Sequence, residues 1–423
     1  MCALPTAHKE GNEPIKQSYS GRRPAELWAG GSAAYGSAMP RLLNPVFAGR
    51  PTTIFTHMSL LAAAHGAVNL GQGFPDTDGP PAIRAAAARA LTDGPNQYAP
   101  MRGLPALRGA VAAHAAGHYG LVYDPETEVI VTCGATEAIV AALLAVARPG
   151  AEVVLIEPTY DSYRPIAEAA GLTVRSVVLS PPHWRLTQAM LDAAVTDRTA
   201  AILINTPQNP IGRVLTRGEL EAVARVAERA DAVVICDEVY EHLTYDAPHV
   251  PLAALPGLRE RCLRIGSAGK IFSLTGWKIG WLCGPAALMA AAVAAHQFLT
   301  FAIPGALQQG VIHGLSHEMD FPDALRMRLR ANRDFLSEGL SRLGFDVLPC
   351  EGTYFLVAGI AGLTREKDAA FCERLVREAG VAAIPLSAFF QDGTVDGYLR
   401  FVFCKERPVL EEALARLART LGR

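Results

Sequence analysis

Short apolar runs alternate with segments of helical periodicity between about residues 128 and 283. The apolar runs, which predict β-strands, cover residues 129–132, 152–156, 174–179, 200–205, 232–237, 262–265 and 279–283. Helices are predicted between them, for example at 136–147 and at 216–230, where Thr216 and Glu219 form a capping-box pattern. Because each run is continuously apolar, both faces of the sheet are expected to be buried. The pattern therefore predicts an α/β fold with a mainly parallel sheet covered by helices.

The pattern changes after about residue 320. Helices are predicted at 324–343, 368–379 and 408–421, and strands at 345–348, 354–357 and 399–403. These elements indicate a smaller α+β domain, which the segment near residues 45–75 is expected to join. The predicted organisation is a flexible tail (1–44), an N-terminal segment of the small domain (45–78), a large domain (79–322) and a small C-terminal domain (323–423).

The first 44 residues are rich in Gly, Ser, Ala and Pro and lack apolar periodicity, which predicts the flexible tail. One hypothesis is that translation starts at Met39, where the sequence becomes more ordered in character. No basic segment followed by an apolar one is visible, so no signal peptide is predicted and a cytoplasmic location is expected. The apolar stretch 285–307 is interrupted by His296, Gln297 and Pro304, and it predicts a packed helix instead of a membrane span.

Composition and charge exclude several classes of function. The chain has 423 residues, half of them hydrophobic, and a net charge of −2, which offers no basic footprint for nucleic acid or an acidic membrane. Its eight cysteines form no CxxC pair and are predicted to be free thiols in a reducing compartment. A Gly-x-Gly at Gly71 and Gly73 lacks the third glycine of a dinucleotide site, and no P-loop or HExxH zinc motif occurs.

The segment 266–280 carries the most specific chemistry. Lys270 lies in apolar surroundings, where desolvation favours the neutral amine that forms Schiff bases with carbonyls. Ser267 and Lys278 lie nearby and supply a hydroxyl and a second positive charge, as a phosphate would require. Surface lysines and glycine-rich turns are common, but the combination favours a lysine-bound aldehyde with a phosphate tail, which is pyridoxal phosphate.

Polar residues also follow several predicted strands, where open α/β sheets bind ligands. Gly134, Ala135 and Thr136 open a helix whose amides could bind an anion, although an ordinary strand-to-helix turn is the favoured interpretation of this motif taken alone. A stiff loop containing Asn205 and Asn209 follows another strand.

Two charged groups occur in apolar strands. Asp237 ends one of them, and it could cap a helix or pair with a buried cation such as a protonated pyridine nitrogen; Tyr240 is expected on the same side. Arg400 lies within the apolar run 399–403, where it could bind a substrate carboxylate or form an internal salt bridge.

These motifs together resemble the fold-type I, pyridoxal phosphate-dependent aminotransferases of class I/II, and most of all the subgroup of methionine and kynurenine aminotransferases. The likeness runs from about Pro45 to the C-terminus. It rests on seven segments in the family's order: NLGQGFPD (69–76), NQYAP (96–100), GATEA (134–138), NTPQNP (205–210), DEVY (237–240), SAGK (267–270) and LRF (399–401). The resemblance implies a large domain with a seven-stranded mixed sheet, a small α+β domain and a homodimer with shared active sites.

The resemblance also implies a role for each residue around the cofactor ring. Lys270 would bind pyridoxal 5′-phosphate covalently and transfer the proton, Asp237 would pair with the ring nitrogen, and Tyr160 would stack on the ring. Asn209 and Tyr240 would hydrogen-bond to the ring's 3-oxygen.

Further matches concern the phosphate and the substrate. The groups matching the phosphate site are those of Gly134, Ala135, Thr136, Ser267 and Lys278, with Tyr98 reaching the phosphate of the neighbouring subunit. Many relatives carry arginine in place of Lys278, which puts phosphate affinity in doubt but not the reaction. Gly71, Asn209 and Arg400 would bind the substrate carboxylate.

The expected reaction is transfer of an amino group from an L-amino acid to a 2-oxo acid. Residues 55–58 and 296–301 are expected to line the side-chain pocket, and their aromatic content favours methionine or aromatic donors over aspartate. Cysteine-conjugate β-lyase or N-succinyldiaminopimelate aminotransferase activity is the alternative on the same fold. A cofactor-binding regulator is a further alternative, but its DNA-binding domain has no counterpart in the short N-terminal tail.

Overall fold

A computed structural model of the chain describes residues 43–48, 50 and 52–422. Residues 43–48 contain a turn in which the Ala48 amide donates to the Asn44 carbonyl over 2.9 Å. Residues 52–422 belong to one unit that begins at Thr52. Apart from Leu43 and Asn44, the predicted flexible tail lies outside the described residues, as does the proposed start at Met39.

Thirteen strands are present in the described part of the chain. They are β1 (Val68–Asn69), β2 (Val129–Cys133), β3 (Glu152–Glu157), β4 (Thr173–Val178), β5 (Thr199–Asn205), β6 (Val233–Asp237), β7 (Cys262–Ser267), β8 (Ile279–Cys283), β9 (Asp346–Val347), β10 (Phe355–Gly359), β11 (Val381–Ala382), β12 (Ile384–Pro385) and β13 (Tyr398–Val402). All seven strands predicted in the first part of the sequence are therefore confirmed, with ends that differ by at most a few residues.

The central sheet contains seven strands in the order β2-β8-β7-β6-β5-β3-β4. Strand β8 runs antiparallel to both neighbours, and the other paired strands are parallel. Every residue of β3 and β5 is buried, as the continuous apolar runs predicted. The predicted mixed, mainly parallel sheet is confirmed.

Thirteen α-helices pack around the sheets in the same part of the chain. They are α1 (Ile54–Ala64), α2 (Pro81–Asp93), α3 (Pro105–Tyr119), α4 (Gly134–Val146), α5 (Tyr163–Ala169), α6 (Gln188–Ala194), α7 (Arg217–Arg229), α8 (Ala268–Ile271), α9 (Ala286–Leu299), α10 (Gly305–His317), α11 (Asp320–Arg342), α12 (Asp368–Arg374) and α13 (Arg407–Leu421). Helix α7 begins with the predicted capping box, in which Thr216 and Glu219 satisfy each other's backbone amides. None of the helices in the described ranges combines the length and apolar character that a membrane span requires.

Some element boundaries were predicted wrongly. Helix α11 begins at Asp320 instead of residue 324, because Asp320 and Asp323 extend its first turn, where acidic side chains are favourable. The helix predicted over 368–379 changes after Arg374 into a π-helical turn, Leu375–Ala379. The strand predicted at 345–348 is only two residues long, Asp346–Val347.

A second sheet is formed by the C-terminal part of the chain. Its order is β12-β13-β10-β9, and all its pairs are antiparallel. The short strand β1 pairs in parallel with β11, so the segment around residue 68 is hydrogen-bonded to the C-terminal elements. This pairing is consistent with a small domain built from both ends of the chain, and the domain boundaries stay a prediction.

The cysteines in the described residues are free. Cys133 is half-buried, and the other six, at 236, 262, 283, 350, 372 and 404, are buried. Cys236 and Cys262 lie side by side on β6 and β7 with their sulfur atoms 3.5 Å apart, which is a hydrogen-bond contact and not a disulfide. Seven of the eight predicted free thiols are thus confirmed, and Cys2 lies outside the described residues.

Candidate functional site

A cavity of about 330 Å³ lies at the carboxyl ends of β2, β5, β6 and β7. Strands β2, β5, β6 and β7 point the same way, so the loops that follow them meet at one edge of the sheet. Eleven of the thirteen predicted site residues line the cavity: Gly134, Ala135, Thr136, Tyr160, Asn209, Asp237, Tyr240, Ser267, Lys270, Lys278 and Arg400. Residues that are up to 266 positions apart in the sequence are thereby brought together.

Lys270 lies in the short helix α8, directly after β7. Its amine donates a hydrogen bond to the hydroxyl of Tyr354 over 2.7 Å and lies 5.4 Å from the ring centres of Tyr240 and Tyr354. Burial lowers the pKa of the Lys270 amine to about 8. At pH 7 about a tenth of the amine is therefore neutral and nucleophilic, far more than for a lysine with its usual pKa.

Asp237 ends β6 and is buried. Its carboxylate accepts hydrogen bonds from the Tyr163 hydroxyl over 2.5 Å and from the Val239 amide over 3.3 Å. Burial raises the pKa of Asp237 to about 6, against the opposing effects of these hydrogen bonds and of the positive charge at Lys270. A buried carboxylate without a strong cationic partner of its own is suited to binding a cation that enters the cavity.

The start of α4 and the side chain of Lys278 form the most positive part of the cavity. Gly134 has φ of +65°, and a Cβ atom there would lie 3.2 Å from both Cε and Nζ of Lys278. A Cβ on Gly280 would lie 2.6 Å from the backbone carbon of Gly134, so this crossing requires glycine. No carboxylate of the described residues lies within ion-pair distance of Lys278. An amine and the free amides of a helix N-terminus together fit a phosphate group.

Arg400 extends from β13 and is almost completely buried. It donates to Asn209 Oδ1 over 2.9 Å and to the Gly71 carbonyl over 2.7 Å, while its Nε has no partner. The guanidinium carbon lies 4.3 to 5.1 Å from three ring centres, those of Phe355, Phe55 and Phe389. Burial lowers the pKa of Arg400 to about 10.

The internal salt bridge considered for Arg400 is not formed with any carboxylate of the described part of the chain. A buried guanidinium held by neutral oxygens and aromatic rings retains most of its charge for an incoming anion. The carboxylate-binding interpretation is therefore favoured.

Two predicted site residues do not line the cavity. Gly71 lies behind it and contributes its carbonyl to Arg400. Tyr98 is 85% exposed and packs edge-on against Phe301, with ring centres 5.6 Å apart. An exposed position is what a residue that reaches another subunit would have, and that role of Tyr98 stays a prediction.

The expected side-chain pocket is only partly correct. Phe55 lines the cavity, but residues 296–301 do not line that of their own chain. His296 is fully buried and bonds instead to Glu137 Oε1 over 2.7 Å and to the Met101 carbonyl over 2.8 Å. Phe298 is 84% exposed. Of these six residues only His296 packs inward, and residues 297–301 are all exposed at the end of α9 and just after it.

Three residues near the reactive groups were missed in the sequence. Tyr163 binds Asp237, Tyr354 binds Lys270, and Phe355 lies over Arg400. Tyr163 lies within the segment that contains Tyr160, so the signal was an aromatic residue three positions further on. Tyr354 and Phe355 gave only a strand signal, and their role arises from the second sheet packing over the cavity.

The side chains of the cavity fit pyridoxal phosphate. A nucleophilic amine, a buried carboxylate and an anion-binding helix start face a space bounded by Tyr160 and Val239, which suits a flat aromatic ring. The buried Nε of Arg400 without a partner leaves a donor for a further anionic group.

The comparisons with known proteins agree with this geometry. Residues 66–417 match the family model described as aminotransferase class I and II. The chain is 49% identical to the probable N-succinyldiaminopimelate aminotransferase DapC of Mycobacterium tuberculosis, over 87% of this chain and 96% of that protein. It is 40% identical to the methionine aminotransferase of Escherichia coli, over 86% of this chain and 95% of that one.

Two solved structures from the same organisms are also similar. The N-succinyldiaminopimelate aminotransferase of Mycobacterium tuberculosis has a TM-score of 0.85 at 50% identity and covers 87% of this chain and 97% of its own. The Escherichia coli protein YbdL, identified as a methionine aminotransferase, has a TM-score of 0.87 at 39% identity and covers 89% and 99%. The structural similarity therefore covers almost the whole length of the two solved chains.

Proposed function

The chain belongs to the class I and II aminotransferases, which use pyridoxal 5′-phosphate to move amino groups between amino acids and 2-oxo acids. We propose that its amino donor is an L-amino acid with a large apolar side chain, such as methionine or an aromatic amino acid. One observation carries this choice. Besides Arg400, the only basic side chains that line the described cavity are Lys270 and Lys278, and both are assigned to the cofactor. A second carboxylate on the donor would find no cation of this chain there.

The cavity wall also supports an apolar donor. Phe55, Phe355 and Tyr160 lie beside Arg400 or across the cavity from it, and Ile139 and Val239 complete the apolar lining. Burying an apolar side chain against such a surface is favourable by roughly 25 cal/mol per Å². The substrate carboxylate would bind Arg400 and Asn209, and its side chain would extend along the rings.

We assign the proton transfers to Lys270. When bound, pyridoxal phosphate supplies a ring that takes up the electron pair left as the α-proton departs. Lys270 first holds the cofactor covalently. Once an amino acid has displaced it, the free amine removes the α-proton and returns it to the cofactor side, as base and then acid. A pKa of about 8 suits both directions near neutral pH, and Tyr354 keeps the amine in place through its 2.7 Å hydrogen bond.

Asp237 would keep the ring nitrogen protonated. A cation at that nitrogen stabilises the carboxylate form of Asp237, which burial alone disfavours, so cofactor binding would lower its raised pKa. Tyr163 donates to one carboxylate oxygen and the Val239 amide to the other, and these bonds would hold the carboxylate in place for the ring nitrogen. Asn209 and Tyr240 would bind the 3-oxygen, and the Ala135 and Thr136 amides, Ser267 and Lys278 would bind the phosphate.

The substrate role of Arg400 predicts a change in KM. In the variant Arg400→Lys we expect the KM for both the amino acid and the oxo acid to rise by about 10- to 150-fold, because a hydrogen bond to a charged group contributes about 1.5–3 kcal/mol. Steady-state kinetics with both substrates varied would measure it. The matched control is Arg333→Lys, since Arg333 also stacks on a ring, that of Tyr245 at 4.8 Å, but lies outside the cavity. An unchanged KM together with a lowered Tm would contradict the assignment and favour a purely structural role.

A second candidate donor comes from the comparisons. The 49% identity to a protein named as a probable N-succinyldiaminopimelate aminotransferase favours a succinylated, dicarboxylic substrate. Such a substrate would need a cation beyond those of the cavity, which a second subunit could supply.

A donor panel separates the two candidates. We expect methionine, phenylalanine and kynurenine, each with 2-oxo acids as acceptors, to give kcat/KM values at least about tenfold above those of N-succinyldiaminopimelate and aspartate, a difference of 1.4 kcal/mol in transition-state binding. Mass spectrometry of the products would measure each pair. A preference for N-succinyldiaminopimelate would overturn the apolar proposal. Release of pyruvate from cysteine conjugates would indicate β-lyase activity.

We further propose that the active enzyme is a homodimer. Tyr98 packs against Phe301, and both are exposed; this supports a dimer because adjoining exposed apolar side chains are typical of a protein–protein contact. In that dimer Tyr98 would reach the cofactor phosphate of the other subunit, and residues 296–301 could lie near its cavity entrance.

A further inference from the structure

Three histidines form a cluster outside the cavity. His114 and His118 are four residues apart on α3, so their side chains lie on one face of that helix. His242 lies in the turn after β6, five residues beyond Asp237 and two beyond Tyr240. One ring nitrogen from each histidine lies within 4.8 Å of the other two. The cluster therefore connects α3 with the turn that carries two residues of the proposed active site.

The distances within the cluster suit a metal ion. The ring centres are 4.6, 5.0 and 5.1 Å apart, and the Nε2 atoms of His114 and His242 are 2.8 Å apart. Two nitrogens bound to one tetrahedral Zn²⁺ lie about 3.3 Å apart, because each Zn–N bond is about 2.0–2.1 Å long. The Nε2 atoms of His114 and His242 would thus move apart by about half an ångström to bind one ion, and the nitrogen of His118, which lies within 4.8 Å of both, would have to reach the same spacing. The Nδ1 atom of His114 has no hydrogen-bond partner, so the contact with His242 is the one polar contact of that ring in the described structure.

The charges beneath the cluster favour a cation. Arg264 forms ion pairs with both Glu238 and Glu241, and all three side chains are fully buried. Two carboxylates and one guanidinium leave one net negative charge when the adjoining His249, 3.2 Å from Glu238, carries no proton charge. The charge of Glu241 acts on both His114 and His242. Negative groups behind the ligands are a common second layer of metal sites.

The cluster is also accessible. His118 is exposed and His242 is half-buried, while His114 is buried beneath them. An ion can therefore enter from solvent, and three protein ligands leave a fourth position for water.

We propose that His114, His118 and His242 form a binding site for a divalent transition metal ion of the Zn²⁺ class. Imidazole is a preferred ligand of such ions. The bound ion joins α3 to the turn between Asp237 and Leu243, and it stabilises that turn without contacting the cofactor. The site is independent of the proposed donor, since none of the three histidines lines the cavity.

The test is titration of Zn²⁺ into the cofactor-loaded enzyme without a histidine tag, after treatment with a chelator. Isothermal calorimetry should give one Zn²⁺ per chain, and thermal unfolding should show a Zn²⁺-dependent rise in Tm. In His118→Ala the affinity for Zn²⁺ should fall by more than about 100-fold. Removing a residue that only hydrogen-bonds to a metal ligand typically lowers the affinity by about 10–100-fold, and His118 is proposed to bind the ion directly. This variant should fold normally because His118 is exposed. Co²⁺ binding should give the visible absorption of a tetrahedral site in the wild type but not in the variant.

The matched control is His317→Ala. His313 and His317 on α10 have the same four-residue spacing, with ring centres 5.0 Å apart, but they belong to no three-ligand cluster of the described residues. This control should bind Zn²⁺ as tightly as the wild type. Equal Zn²⁺ affinity in His118→Ala and the wild type, or no saturable binding by the wild type, would overturn the proposal.

Discussion

The variant Lys270→Ala is expected to lose covalent cofactor binding, and its kcat should fall at least about 10⁴-fold. General acid–base catalysis alone contributes about 10²–10⁴-fold. The loss should be this large because one amine performs two tasks. In the proposed mechanism it would bind the cofactor covalently and would then carry the proton in both directions. Among the described residues, the other lysine that lines the cavity is Lys278, which lies against the start of α4 and is proposed to bind the phosphate.

Covalent binding gives a measurement that does not depend on turnover. After reduction with borohydride, the intact mass of the wild-type chain should increase by that of the reduced cofactor, and the mass of Lys270→Ala should not. The control Lys367→Ala removes an exposed lysine from the start of α12 and should behave as the wild type. A cofactor adduct or substantial turnover in Lys270→Ala would show that another lysine holds the cofactor.

The variant Asp237→Asn should retain the cofactor but lose about 10²–10³-fold in kcat, the range found when one preorganised electrostatic contact is removed from an active site. Asparagine has nearly the same shape and can still accept the hydrogen bond of Tyr163. It has no charge, however, and so cannot hold a proton on the ring nitrogen. Retention of the cofactor follows because its covalent bond and phosphate contacts involve other residues.

Single-turnover kinetics, followed by the absorbance of the bound cofactor, would measure the slow step directly. Tyr163→Phe should give a smaller decrease, because it removes only the group that orients Asp237. The control Asp231→Asn changes an exposed acid before β6, at a positive φ of 49° that asparagine tolerates, and should leave kcat unchanged. A rate near that of the wild type in Asp237→Asn would mean that another acid protonates the ring.

Local sequence features determined much of the fold. The continuous apolar runs predicted all seven strands of the central sheet, because a strand buried on both faces needs apolar residues at every position. The Thr216 capping box likewise fixed the start of α7. The predicted element boundaries were less accurate where the apolar pattern was short. The strand predicted at 345–348, for example, has only two paired residues, Asp346–Val347.

The candidate site was predictable where a residue follows a strand directly. Asp237 and Lys270 lie at or just after the carboxyl ends of β6 and β7. Because these strands are parallel, their carboxyl ends lie at the same edge of the sheet, independently of how the other elements pack. Tyr354 and Phe355 could not be found in this way. Their contacts with Lys270 and Arg400 depend on the packing of the second sheet over the first, which no local pattern encodes.

The sequence by itself indicated the fold class and the family, which are confirmed, and it predicted the lysine, carboxylate and phosphate-binding groups, whose roles stay predictions, because each has a short-range signature in residue type and spacing. Only the tertiary structure decided three further points. It showed that Arg400 is held by Asn209 and Gly71 without a carboxylate partner, that residues 296–301 lie away from the cavity of their own chain, and that His242 meets His114 and His118. Each of these depends on contacts between residues more than 100 positions apart, or on the way a helix packs, and those are set by the folded chain as a whole.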